Sequence, residues 1–243
     1  MLRRHRIDCG SVNRSLRELT IGEALNIARI PFAQNEHRIT AFLSAVLEDK
    51  ALARSMTVQE RYHLLIEYLA ASTDTPLSVP VNFGLYRMPK DPSNSWKTST
   101  TTPHGEIHQL LGWQAELLEV VCEDVADWFI GSLVLQCQLS QFAPMPTEAD
   151  TPDQERLAVL HARVKAFEAM SQSEAESLTS AYLQANNEMA YHLKTNVDAQ
   201  GITIMPVNSV NGGADDAPAR FRPDTTFGWL AQKLGRFLDQ PGE

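Results

Sequence analysis

The chain has 243 residues, 43% of them apolar and 21% charged, with a formal net charge of −9. That length can bury a sizeable core, and the balance excludes a disordered chain, which needs low hydrophobicity together with high net charge. No run of eighteen apolar residues occurs, which excludes a membrane-spanning helix, and the basic start (Arg3, Arg4, Arg6) is not followed by the apolar stretch of a signal peptide. Cys9, Cys122 and Cys137 are widely spaced with no Cys-x-x-Cys pair, so neither a disulfide framework nor a thiolate zinc site is encoded, and a reducing cytoplasm is expected.

The charge is segregated. Positions 98–155 carry no lysine or arginine but ten acids, while the remainder holds 21 basic and 20 acidic residues. A field of that sign repels phosphate backbones, so no nucleic-acid partner is expected, and it suits a basic partner protein. The plainer alternative is a solvated helix face.

In chain order, residues 1–75 predict an N-terminal helical module. A polar extended stretch (Ile7–Leu19) precedes Thr20-Ile21-Gly22-Glu23, a capping box in which hydroxyl and carboxylate serve each other's orphan amides. Pro31 stops that helix, and Asn35 opens a second with Ile39, Phe42, Leu43, Val46 and Leu47 on one face. Thr57-Val58-Gln59-Glu60 is a further capping box, opening a helix through Leu64, Leu65, Tyr68 and Leu69.

Residues 76–143 predict a Pro/Thr-rich loop followed by an acidic helical region. Val79–Tyr86 reads as a hairpin limited to edge positions by its prolines, and Ser93–Thr102 as an exposed loop. Gly105–Phe142 reads as a long helical stretch broken near Glu123, with Trp113 and Trp128 as core anchors. Glu116, Glu119, Glu123 and Asp127 recur at helical spacing, placing them on one face as a partner-binding stripe.

Residues 153–243 predict a helical hairpin and a C-terminal docking helix. Leu157, Leu160, Val164 and Phe167 form one side of a coiled-coil seam, and Leu178, Tyr182, Ala185 and Met189 the other. Ser173–Glu176 is read as the box restarting the helix, and the stretch from Gly201 as a loop with a turn at Asn211-Gly212-Gly213. The last helix, about 224–238, either brings Phe227 and Trp229 forward to dock on a partner or packs back on its own domain. The fold class is therefore mainly α, a helical bundle with a long helical hairpin and a minor β hairpin or extended segment.

Catalytic patterns are sparse. His104-Gly105-Glu106-Ile107-His108 places two histidines at i and i+4 of an expected helix start, a spacing that can share one metal ion. A glycine stands where metalloproteases carry glutamate, and no Pro-Cys-x-x-Cys follows as in the deaminases. His104 as a helix flank and His108 as a surface residue is the simpler account. There is no Gly-x-Ser-x-Gly elbow, phosphate-binding loop or dinucleotide fingerprint, and Cys137 with His108 is a remote nucleophile pair. No cofactor and no catalytic residue are assigned.

Arg17–Ala28, Pro31, Asn35-Glu36 and Thr40–Leu43 resemble the N-terminal helical part of tailed-phage tail and baseplate proteins, of tail-assembly-chaperone or baseplate-hub-like type. The resemblance covers about 16–69, under a quarter of the chain. It implies a non-enzymatic structural or interaction protein of the phage tail or baseplate, or a factor for its assembly. Its partners would be phage tail proteins or copies of itself, with no membrane involved. Its place would be the host cytoplasm during assembly, or the virion. The alternative is a metal-dependent enzyme using His104, Glu106 and His108.

Overall fold

A computed structural model describes residues 4–9, 12–71, 82–89, 94–146, 151–208 and 217–223. Among these residues the chain is mainly α, with eight α-helices and three small antiparallel sheets.

The extended start is a hairpin, β1 (Arg4–Cys9) paired with β2 (Val12–Arg17). Helix α1 (Ile21–Ala28) begins at the Thr20–Glu23 box, which is fully formed. Helix α2 (Asn35–Leu47) follows, and its first turn has no side-chain cap from Gln34. It ends at Glu48, whose left-handed φ of 59° turns the chain toward α3 (Lys50–Ser55), a short helix capped by Asp49. In the second predicted box, Glu60 accepts from the Thr57 amide and Thr57 Oγ1 accepts from the Glu60 amide. That box opens α4 (Val58–Ala71).

Helix α2 is central to this part, packing on α1, α3, α4 and α5. Phe42, Leu43 and Ile39 are fully enclosed there, and the Phe42 ring meets Tyr68 edge-on at 4.9 Å. Each such side chain contributes about 1.5–3 kcal/mol through burial, and Phe42→Ala would cost about 3–5 kcal/mol.

The middle region departs from the helical expectation. Ser99–Thr102 is a strand, β3, paired with β4 (Gly105–His108), so the His104–His108 motif lies on a β-hairpin and not on a helix start. A threonine run favours the pleated conformation, and Gly105 takes φ 140°, where an added Cβ would strike the Gln138 carbonyl. Helices α5 (Gly112–Val121) and α6 (Val125–Gln136) then meet at a joint where Asp124 caps α6 through the Ala126 and Asp127 amides. Strand β5 (Cys137–Gln138) joins β4. Residues 79–81 of the expected 79–86 hairpin lie outside the described residues, and in the remainder Phe83–Leu85 forms a single 3-10 turn, not a strand.

Helices α7 (Asp153–Glu168) and α8 (Gln172–Glu188) follow, the second opened by a Ser171–Glu174 box two residues earlier than expected. Helix α7 lies on α6, and α8 lies against β3. The expected loop from Gly201 is a strand, β7 (Gly201–Met205), paired with β6 (Lys194–Asp198). The Asn211–Gly213 turn and the 224–238 helix lie outside the described residues. One apolar cluster draws on all three predicted regions, joining Phe42 and Leu65 to Ile107, Leu118 and Leu133, and to Leu160, Leu178 and Ile204. No helix among the described residues is long and apolar enough to cross a membrane.

Candidate interaction site

The expected acidic stripe divides in two. Glu116 and Glu119 lie on α5, Glu123 falls in the joint after it, and Asp127 sits in the first turn of α6. The break at residues 122–124 rotates the second pair away from the first. Glu116 and Glu119 turn inward, with side chains only 8% and 4% exposed. Glu123 and Asp127 are exposed.

Inward, the two α5 carboxylates complete a buried polar network beneath α2. Glu119 accepts from the Glu36 amide at 2.7 Å and the His37 amide at 3.2 Å, and its Oε2 lies 2.8 Å from His37 Nδ1. A carboxylate at the first turn of a helix satisfies orphan N–H groups and complements the helix dipole, so α5 supplies the cap that Gln34 does not. Glu116 accepts from the Thr40 hydroxyl and pairs with Arg54 at 3.0 Å. Deeper still, Arg61 donates to the Glu36 carbonyl at 2.7 Å and to Thr40 Oγ1 at 2.9 Å, while its guanidinium sits 3.5 Å from the Glu36 carboxylate. The Tyr62 hydroxyl donates to Glu36 at 2.6 Å and accepts from Asn35 at 3.0 Å.

Burial raises the Glu36 carboxyl above its usual range, opposed by Arg61, and lifts the Tyr62 phenol as well. The hydrogen bond to Glu119 raises the His37 imidazole against the opposing effect of burial. The network is only partly satisfied, since Asn35 Oδ1, Glu36 Oε2 and the Arg61 Nε and Nη1 atoms have no hydrogen-bond partner among the described residues.

Outward, the joint presents a different surface. Val120 and Val125, 63% and 50% exposed, flank Glu123, Asp124 and Asp127. Among the described residues, no lysine or arginine pairs with those three acids. Val120 also lines a pocket of about 170 Å³ between α3, α5 and α7, walled with it by Trp113, Leu117 and Leu157 and rimmed by His37, Arg54, Glu116 and Asp153. The Arg156 guanidinium covers the Trp113 ring at 4.5 Å. Charge spacing alone does not reveal this pocket, though apolar Val120 and Val125 bracketing an acidic run are a visible signal for the exposed part.

The other predicted site residues do not converge. His104 Nε2 pairs with Ser177 Oγ at 3.0 Å, whereas His108 Nε2 faces Glu106 at 3.4 Å along β4. Among the described residues no group of three or more His, Cys, Asp or Glu is placed to hold a metal ion. Burial pushes the Cys122 and Cys137 thiols up to about 12, opposite to what a nucleophile needs. Trp229 lies outside the described residues. No protein-family model matches the chain, and no curated protein or solved structure is significantly similar to it.

Proposed function

We propose that this chain is a non-enzymatic structural or interaction protein, a component of a tailed-phage tail or baseplate or a factor for its assembly. The observation that carries the interaction reading is the α5–α6 joint, where exposed Val120 and Val125 stand among Glu123, Asp124 and Asp127. Apolar contact and uncompensated acid on one surface suit a basic, amphipathic segment of another protein. The adjoining pocket at Trp113 and Leu157 has room for an apolar side chain from the same segment. The phage assignment rests on the resemblance of residues 16–69.

The test is co-purification of the tagged chain from infected host cells, with the captured proteins identified by mass spectrometry. Tail-tube, baseplate or tape-measure proteins retained at low salt and shed at high salt support the proposal. A chain that captures no tail protein at any salt refutes it.

A further inference from the structure

A second pocket, of about 90 Å³, lies between α6, α8 and β6, well above the roughly 10–15 Å³ that one water requires. No charged side chain lines it. Its wall includes Gln109, Ser132 and Gln136, which are 5%, 1% and 4% exposed. Gln109 Nε2 donates to the Lys97 carbonyl at 2.6 Å and the Met189 carbonyl at 3.2 Å. Gln136 Nε2 donates to the Tyr182 hydroxyl at 2.9 Å. The two carbonyls fix the Gln109 amide orientation, whereas the Tyr182 hydroxyl can serve either end of the Gln136 amide; Gln109 Oε1, Gln136 Oε1 and Ser132 Oγ have no protein partner among the described residues. Buried polar atoms in folded proteins are rarely left so, and three in the wall of one pocket mark a place where hydrogen-bond donors enter.

We infer that this pocket binds a small uncharged polyhydroxyl compound, a polyol or monosaccharide, whose hydroxyls donate to these oxygens. A hydroxyl both donates and accepts, and so also serves Thr195 and Asn196 at the pocket wall. The C–H face of the same compound meets Phe129 and Val197. A charged ligand would enter without a counter-charge, and a purely apolar one would leave the oxygens unpaired. The inference is independent of the protein-partner reading.

The test is a titration of the 15N-labelled full chain, following the side-chain amide resonances of Gln109 and Gln136. The probes are glucose and glycerol, with glutamate and spermidine as charged controls. A saturable shift with either polyol and none with the charged probes is expected. Ser132→Ala, which removes only a hydroxyl, should raise the Kd about 5–10-fold with the backbone spectrum retained, and Val197→Trp should block the site. No saturable shift with either polyol means that ordered water alone fills the pocket and overturns the inference. So does equal binding of a charged probe, or a response unchanged in both variants.

Discussion

The Glu119 carboxylate on α5 caps the first turn of α2, accepting the Glu36 amide proton at 2.7 Å. A residue that its own helix presents as one more acid of a surface stripe is in fact a tertiary cap. Glu119→Ala therefore costs about 2 kcal/mol of stability, read from the denaturant midpoint, because two amides of α2 and His37 lose their acceptor. An exposed-stripe role predicts no measurable change.

Arg61 and Glu36 are buried together, and removing one strands the other. Arg61→Met is expected to cost about 3–5 kcal/mol, and Glu36→Gln in the same chain to recover part of that loss. Gly112 reports on the same site: a Cβ there would overlap the Arg61 guanidinium. Gly112→Ala and Arg61→Met should therefore be strongly non-additive in a double-mutant cycle.

The pH dependence of stability isolates His37. Its folded pKa lies above the ordinary 6.5, chiefly through Glu119, with Glu116 adding to the rise and Arg61 opposing it. The resulting stabilisation is fully present below pH 6.5 and is lost as pH rises through the raised folded value. The stability difference between wild type and His37→Gln should shrink across that window. Glu23 behaves in the opposite sense. Arg17 depresses it to about 2, so its contribution is present above 4.5 and disappears as pH falls through about 2.

Thiol chemistry gives a separate check. With the thiols of Cys122 and Cys137 raised to about 12, a Cys9→Ser chain should resist alkylation at neutral pH and react at both positions once unfolded. Fast labelling of native Cys137 would restore the nucleophile reading.

Two of the three predicted capping boxes formed where expected, and the third formed at Ser171–Glu174 in place of Ser173–Glu176. The boxes at Thr20–Glu23 and Thr57–Glu60 span three residues each and need no tertiary help. The His104–His108 motif failed because i and i+4 spacing presupposes a helix, and the threonines before it pair that segment into a sheet. The inward turn of Glu116 and Glu119 depends on α2 lying across α5, which helical periodicity does not specify. A signal for the buried pair did exist: Glu36 falls three and seven residues before Ile39 and Leu43, on the apolar stripe of α2. A charged residue on such a stripe requires a buried partner.

The most direct test of the partner-binding claim is a binding titration of the captured tail protein against wild type and Glu123→Lys at low and high salt. Glu123 is exposed at the joint and makes no ion pair among the described residues, so its replacement leaves the fold intact. The account predicts markedly weaker binding for Glu123→Lys at low salt and convergence of the two chains at high salt. Equal affinity at both salts, with the variant folded, would contradict it.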